Sequence, residues 1–361
     1  MHGVGSEGES AFTFEGTWRE YAPIAFTNLL LTIVTLGIYR FWATARTRRY
    51  LWSRSRFVDE NLEWTGTGKE LFFGFLLVVL LVIAPFFILS QVAQALLIRG
   101  QSVLGGIVSA MAVLAIYYLG GVARFRAIRY RLSRTRWRGI RGGTDNQGFA
   151  YGLSYMWKTF VGTIVFGLMI PWSMTRLWNE RWRAMSFGPF PFEADAAWQP
   201  VFKRFLLFYL APLLGFIGMA VVLATGALAG YGMGGDAGAK VGMGLTIVAL
   251  VLFFYLGLGL IAVAFYAKFY REAVGSTRWR ELQFSFEAST GDWVKLLLGD
   301  IALVILTLGI GIIFLSYRHW KFFMVHMEAS GEILLDELTQ STTRTATHGE
   351  GLLDAFDIGA I

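Results

Sequence analysis

The sequence predicts an all-α polytopic membrane protein. Hydrophobic residues make up 55% of its 361 residues, charged residues only 16%, and the mean hydropathy is +0.52. Soluble domains carry roughly a quarter charged residues, so a soluble globular fold is excluded. Two further observations define the architecture: four long uncharged runs, and three shorter apolar segments that repeat. Small cytoplasmic β-strands are also predicted where residues alternate with period two, at Phe12–Phe14, Leu62–Trp64 and Leu282–Phe286.

The four long runs are each longer than the roughly 20 residues that cross about 30 Å of hydrocarbon. They are Leu71–Ile98, Gly100–Ala123, Phe205–Gly235 and Val241–Ala267. A short loop joins the first run to the second, and another joins the third to the fourth. Because backbone in lipid must satisfy its own hydrogen bonds, each pair is predicted to form a transmembrane helical hairpin.

Three further apolar segments are shorter, at 17 to 19 residues: Tyr21–Tyr39, Thr159–Thr175 and Ile301–Tyr317. At 1.5 Å per residue, 17 residues reach only about 25 Å. Such a helical element could span the bilayer if its flanking residues reach the interfaces. It could also lie at the interface, or re-enter and leave by the same face.

The three short segments share a motif, Gly-x4-aromatic-x3-Arg. Its residues are Gly37, Trp42, Arg46, then Gly167, Trp172, Arg176, then Gly309, Phe314 and Arg318. The offsets between the glycines are 167 − 37 = 130 and 309 − 167 = 142. A motif that recurs at fixed offsets in a membrane protein indicates internal pseudo-symmetry.

The repeat divides the chain into five parts. They are a disordered N-terminus (1–11), repeat 1 with a short element and a hairpin (12–123), repeat 2 with a basic segment, a short element and a hairpin (124–267), a partial repeat 3 (268–330) and an acidic C-terminal tail (331–361).

Four blocks in and after the first short element resemble the signature of the YjgN-like family of bacterial inner-membrane proteins: Asn28–Thr32, Thr35–Tyr39, Phe41–Ala43 and Arg48–Tyr50. The chain's ending, 349–357, also resembles the tails of that family. Phe41 departs from the proline expected before Trp42, although Pro171 precedes Trp172 in the second repeat. The resemblance implies a multi-pass protein of the bacterial inner (cytoplasmic) membrane with an uncharacterised function. It supplies no catalytic residues.

Lysine and arginine accumulate between the apolar elements, and this bias bears on orientation. There are six in Arg46–Lys69, eight in Arg124–Arg141, five in Arg176–Arg204 and four in Lys268–Arg280, against one in each long-hairpin loop. The positive-inside rule predicts that all four basic segments are cytoplasmic.

Two topologies remain open. In the favoured one, four helices span and the short elements are re-entrant or interfacial, bending near Gly37, Gly167 and Gly309. In the other, all seven span, the repeats are inverted, and the last two basic segments lie outside.

Asn28, Lys158 and Asp300 occupy one repeat position, since 28 + 130 = 158 and 158 + 142 = 300. Ionisable residues within a membrane are costly and are functional suspects. If the repeats pack around a common axis, Lys158 and Asp300 form an ion pair and Asn28 completes a polar cluster. The alternative is that the charged residues mark the interfacial ends of short helices.

Tryptophans beside arginines in the basic segments predict a surface that binds anionic lipid headgroups, and no nucleic acid is expected. The chain has no cysteine and no recognisable catalytic motif, so we expect neither an enzyme nor a cofactor or metal site. In the acidic tail, Leu352, Leu353 and Phe356 have the pattern of a peptide that docks on a protein partner. A frayed tail is the alternative.

Two functions fit these features. Repeats and polar residues in apolar elements favour a transport or permeation protein, which is the leading interpretation. The tail and the basic interfacial surface favour a non-transporting scaffold or accessory subunit for lipid or a membrane-linked partner, for which the family resemblance suggests a metallopeptidase. A water-filled path at the level of the polar cluster would favour transport. A packed, dry core with an exposed apolar groove would favour the scaffold.

Overall fold

The computed structural model describes residues 2–4, 10–232, 236–333 and 335–344, with side chains outside 2–4, 226–232, 236–239 and 241. Most of this part of the chain is helical. The helices are α1 (Trp18–Val34), α2 (Arg40–Ser53), α3 (Gly68–Val78), α4 (Ala84–Ile98), α5 (Ser102–Arg134), α6 (Phe149–Ile164), α7 (Ile170–Arg183), α8 (Gln199–Phe205), α9 (Leu210–Gly232), α10 (Asp236–Gly275), α11 (Thr290–Leu306) and α12 (Leu315–His326).

These helices form five hairpins that alternate between short and long. The three short hairpins are α1/α2, α6/α7 and α11/α12; the two long hairpins are α3–α5 and α8–α10. Helical stretches long and apolar enough to cross a membrane occur in the long hairpins, at Gly68–Ile98, Ser102–Arg134, Gln199–Thr225 and Gly242–Gly275. Each of the four long runs therefore contains a helix long and apolar enough to cross a membrane, as predicted.

Each short hairpin reverses direction at two successive residues with positive φ. The motif glycines lie there, with φ of +91° at Gly37, +84° at Gly167 and +93° at Gly309. The residue before each glycine, a leucine or phenylalanine, also has positive φ, between 48° and 51°. Glycine adopts this conformation without penalty, whereas other residues lose roughly 1–2 kcal/mol in it. Each short apolar segment is consequently a helix, a reversal and the start of a second helix.

A threonine hydroxyl closes this turn in the first and third short hairpins. Thr35 Oγ1 donates at 2.7 Å to the carbonyl four residues earlier and accepts at 2.9 Å from the N–H four residues later. Thr307 makes the same two bonds at 2.6 and 2.7 Å. The hydroxyl thus satisfies backbone groups that helix ends leave without intrahelical partners. In the second hairpin the equivalent residue is Val165, which cannot make these bonds.

The strands are short. They are β1 (His2–Val4), β2 (Phe12–Phe14), β3 (Ser55–Phe57), β4 (Glu60–Asn61), β5 (Glu63–Trp64), β6 (Thr135–Trp137), β7 (Ile140–Gly143), β8 (Ser186–Phe187), β9 (Phe190–Ala194), β10 (Thr277–Trp279), β11 (Leu282–Phe286) and β12 (Met327–Ile333). They include two of the predicted segments in full, Phe12–Phe14 and Leu282–Phe286, and Glu63–Trp64 of the predicted Leu62–Trp64.

The strands form two antiparallel sheets that gather the ends of the helical hairpins. Nine strands pair in the order β1-β12-β11-β10-β9-β8-β7-β6-β5, and three pair as β2-β3-β4. The prediction of an all-α fold with small strands therefore underestimates the β-structure. Most of the strands are too short to stand out in the sequence, and the larger sheet forms by pairing between strands that follow different hairpins. Residues 2–4, expected to be disordered, instead pair with β12.

The main core lies between the larger sheet and the adjoining helix ends. Trp137 and Trp279, at the ends of β6 and β10, are 1% and 4% exposed. The Trp137 indole N–H donates to the Phe57 carbonyl oxygen at 2.9 Å. Arg136 and Arg278, one position earlier on each strand, are exposed. Because neighbouring residues of a strand point to opposite faces, the sheet buries one aromatic face and presents arginines on the other.

Candidate functional site

The tips of the short hairpins are exposed apolar surfaces. Leu36 is 94% exposed, Phe166 90% and Leu308 94%, and beside them Val34 and Leu306 are 77% and 83% exposed. Around Gly37 and Gly309 nothing else in the described part of the chain would meet an added Cβ within 4 Å. Large exposed apolar patches mark surfaces that contact lipid or another protein. The three tips therefore have the character of surfaces that contact lipid or another protein.

Asn28 is buried in the first short hairpin and bonds to the helix opposite. Its Nδ2 donates to the Ala43 carbonyl oxygen and to Thr47 Oγ1, each at 3.3 Å. Its Oδ1 is buried with no hydrogen-bond partner among the described residues. The amide therefore links α1 to α2.

Lys158 occupies the same position in the second short hairpin and forms an ion pair with Glu180 of α7. The lysine side chain is 9% exposed and the glutamate 40%. Ser154 Oγ donates to the other oxygen of Glu180 at 2.6 Å. An opposite charge within its own hairpin thus compensates the buried ammonium.

Asp300, in the third short hairpin, is bonded through both of its carboxylate oxygens. Arg318 Nε donates to Oδ1 at 2.5 Å, and His319 Nε2 lies 2.6 Å from Oδ2. The aspartate side chain is 10% exposed, Arg318 33% and His319 45%. This carboxylate therefore connects α11 to α12.

The prediction of an ion pair between Lys158 and Asp300 is wrong, because each of these residues pairs within its own hairpin. The structure does not bring Asn28, Lys158 and Asp300 together. The repeat does account for two of the partners that these polar residues bond to instead of to one another. Asn28 and Asp300 differ by 272, and so do their partners Thr47 and His319. Leu177 occupies the equivalent position in the second hairpin, so Lys158 bonds to a different residue. Each polar residue closes its own hairpin because the turn brings α1 onto α2, α6 onto α7 and α11 onto α12.

The aromatic and basic residues of the repeat motif lie just beyond these turns. Trp42 packs on Phe72, with ring centroids 5.8 Å apart. Trp172 contacts Trp157 at 6.0 Å, and Phe314 contacts Tyr21 at 6.1 Å. The arginines differ: Arg46 and Arg176 are exposed, whereas Arg318 is half-buried on Asp300.

The apolar stretches of the long hairpins bury few of their residues. None of the most apolar 18 residues of Gly242–Gly275 is buried, and in the other three stretches the share is 11–17%. In the part of the chain that the structure describes, α5 packs on α4 and α6, and α10 packs on α9. The two long hairpins make no extensive contact with each other there.

Sequence reasoning missed that three arginines of the basic segments are buried. Arg48 is 6% exposed, Arg129 2% and Arg181 7%. The count of basic residues treated them all as surface groups, because burial depends on which face of a helix meets the sheet. The one signal that the sequence offers for the burial of an arginine is an aromatic residue near it on the same helix. Such a signal exists for Arg181, whose guanidinium lies 5.5 Å from the centre of the Trp178 ring.

Two further expectations concern a metal site and the C-terminal tail. Within residues 10–225, 242–333 and 335–344, no group of three or more metal-ligating side chains converges. Leu352, Leu353 and Phe356, the expected docking residues, lie outside the described residues.

Comparison with known proteins gives a family model described as "Bacterial protein of unknown function (DUF898)", which matches residues 9–355. No solved structure matches the chain. Three curated relatives are each called inner membrane protein YjgN. The Escherichia coli O157:H7 protein is 39% identical over 69 residues, covering 19% of this chain and 17% of that protein.

The other two relatives align over longer segments. The Salmonella typhimurium protein is 28% identical over 117 residues, covering 32% of this chain and 30% of that protein. The Escherichia coli K12 protein is 26% identical over 161 residues, covering 44% and 36%. The aligned segments therefore span well under half the length of these relatives. Together with the four apolar helices, the relatives place the chain in the bacterial inner membrane, as expected.

Proposed function

The chain belongs to the DUF898 family of bacterial proteins of unknown function, and from that premise we propose that it is a non-transporting scaffold of the inner membrane. In this proposal the two long hairpins span the bilayer. The three short hairpins enter it and return to the cytoplasmic side, where the sheets lie. The scaffold presents that side to anionic lipid headgroups and to a protein partner. The proposal assigns the chain no reaction.

The observation that carries the proposal is how the buried polar positions are used. Asn28, Lys158 and Asp300 each bond to the second helix of their own hairpin. A transport path needs polar groups that face a shared, water-filled route. Groups already compensated inside separate hairpins act as closures of those hairpins. The sequence alone favours transport slightly. The bonding of these polar residues within their own hairpins supports the scaffold instead.

The proposed membrane topology is supported by the pairing of the larger sheet. Strands from all four basic segments belong to it, and hydrogen-bonded strands lie only about 4.8 Å apart. In a seven-span topology, β7 and β8 would lie on opposite sides of the bilayer, yet Gly142 pairs with Phe187. The positive-inside rule then assigns the shared side to the cytoplasm.

The energetics of the tips support re-entry of the short hairpins. Burial of a large apolar side chain contributes about 1.5–3 kcal/mol. Each of the first and third tips carries at least two that are more than three-quarters exposed, Val34 with Leu36 and Leu306 with Leu308. Insertion would therefore stabilise each tip by about 3–6 kcal/mol. That outweighs the roughly 1–2 kcal/mol cost of a non-glycine residue with positive φ.

A permeability assay tests the scaffold against transport. The purified chain is reconstituted into liposomes loaded with dyes for protons, potassium and chloride. We expect leak rates equal to those of protein-free liposomes. A leak that Lys158→Met or Asp300→Asn abolishes, and that the exposed control Arg176→Gln retains, would show a transport path through the polar positions and refute the proposal.

A further inference from the structure

Arg181 is a buried cation with no compensating acid among the described residues. It lies near the end of α7 and is 7% exposed. Its guanidinium stacks over Trp178, with its carbon 5.5 Å from the ring centre. Its Nε is buried and has no hydrogen-bond partner among the described residues. The adjacent Glu180 is engaged by Lys158 and Ser154, so it does not supply the missing acceptor.

The titratable groups facing Arg181 come from three other helices. Tyr151 of α6 and Tyr270 of α10 interact with its charge, as do Arg131 and Arg124 of α5. Burial is the main cause that lowers the pKa of Arg181; the two phenols oppose it, and the two arginines add to it. Among the described residues, the titratable groups that interact with this guanidinium are therefore phenol hydroxyls and further cations.

The two phenol groups are unused donors as well. Tyr151 is 7% exposed and Tyr270 is half-buried. Neither hydroxyl forms a hydrogen bond within the part of the chain that the structure describes. A tyrosine hydroxyl can donate one hydrogen bond, and an arginine offers five N–H donors in a planar fork. Donors from two hairpins thus interact with the charge of Arg181, and the described residues supply no acceptor for its Nε.

We propose that Arg181, Tyr151 and Tyr270 form a binding site for one phosphate group, with Arg131 and Arg124 adding positive charge. A guanidinium fork matches phosphate oxygens with two parallel hydrogen bonds. A buried charge is costly unless it is paired and hydrogen-bonded, and a bound phosphate supplies both. Because α5, α6, α7 and α10 all contribute, the ligand ties the two long hairpins together through the second short hairpin.

The phosphate can come from a lipid headgroup or from free phosphate. The site lies near the sheet end of α7, beyond the lipid-facing tip at Phe166, which is the level expected for headgroups in the proposed topology. In this respect the inference rests on the proposed function, since a headgroup would be the scaffold's ligand. The donors themselves are independent of that proposal.

The test is a thermal unfolding titration of the full chain in a non-ionic detergent, followed by the fluorescence of its 13 tryptophans. The probes are phosphatidylglycerol, phosphatidylcholine, and sodium phosphate against sodium chloride at equal ionic strength. A ligand that binds only the folded chain raises Tm. We expect a saturable rise with phosphatidylglycerol and at least tenfold weaker apparent affinity in Arg181→Gln. The matched control is Arg176→Gln, an exposed arginine on the same helix.

The outcomes separate the two sources of phosphate. A rise with phosphatidylglycerol alone identifies a headgroup, and a rise with sodium phosphate identifies the free anion; either supports the site if Arg181→Gln weakens it. If Arg181→Gln does not fold, the double variant Tyr151→Phe/Tyr270→Phe keeps the rings and should weaken binding at least threefold. No rise with any probe, or equal rises in the Arg181 or tyrosine variants and the control, overturns the inference.

This readout is separate from the test of the scaffold. A chain that binds phosphate through Arg181 yet makes liposomes leak would refute the scaffold and keep the site.

Discussion

The contact between Asp300 and Arg318 allows the closure of a short hairpin to be measured. Asp300→Asn keeps the size of the side chain but removes the charge that accepts from Arg318 and His319. Breaking a buried pair costs roughly 3–5 kcal/mol. Because Arg318 is 33% exposed, water takes up part of the uncompensated charge. We therefore expect a loss of about 1.5–3 kcal/mol, the range for a hydrogen bond to a charged group.

A pair of double-mutant cycles turns this loss into a test of partner choice. The first cycle combines Asp300→Asn with Arg318→Gln, and the second combines Asp300→Asn with Lys158→Met. The free energy of unfolding is measured by urea titration in detergent micelles with tryptophan fluorescence. We expect coupling of about 1–2 kcal/mol in the first cycle and additivity within about 0.5 kcal/mol in the second. Coupling between Asp300 and Lys158, or its absence between Asp300 and Arg318, would refute the account of self-closed hairpins.

Three further predictions concern the turn, the sheet and the tail. Thr307→Val should lower the free energy of unfolding by about 1 kcal/mol, as loss of a helix cap does. The control Thr163→Val should change it little, because the hydroxyl of Thr163 bonds within its own helix. Equal losses in the two variants would contradict this prediction. Gly331→Ala should lower Tm markedly, because φ at this residue is +130° and the new Cβ would lie 2.1 Å from the carbonyl oxygen of Glu281. The control Gly275→Ala should leave Tm unchanged, because nothing lies within 4 Å of the added Cβ. Equal Tm values for the two variants would contradict this prediction. Deletion of 349–361 should leave membrane insertion and Tm unchanged but remove a co-purifying protein, and an unchanged co-purification profile would end the docking idea.

The parts of the fold that could be predicted are those fixed by local sequence. The long spans follow from uncharged length alone. The turns follow from glycine at 37, 167 and 309, since few other residues accept positive φ, and the structure places the reversals there. The repeated Thr-Leu-Gly also acquires a physical reason, because Thr35 and Thr307 bond to backbone on both sides of the turn.

The parts that could not be predicted depend on which elements meet. Lys158 and Glu180 are 22 residues apart, and only the geometry of the turn brings them together. The larger sheet needs strands of two to seven residues from successive hairpins to align. The burial of Arg181 depends on the packing of α7 among α5, α6 and α10. In each case the interaction is set by tertiary structure that local patterns do not encode.

The central claim is that all four basic segments share the cytoplasmic side, and cysteine accessibility tests it most directly. The chain has no cysteine, so single cysteines can replace exposed residues: Asp59, Arg136, Glu193 and Arg278, one for each basic segment or its adjoining strand, and Gln101 in the first long-hairpin loop. An impermeant maleimide is applied to intact spheroplasts and then to lysed ones. We expect labelling of the Gln101 variant in intact spheroplasts and of the other four only after lysis. Labelling of the Glu193 or Arg278 variant before lysis would contradict the shared side and restore the seven-span topology.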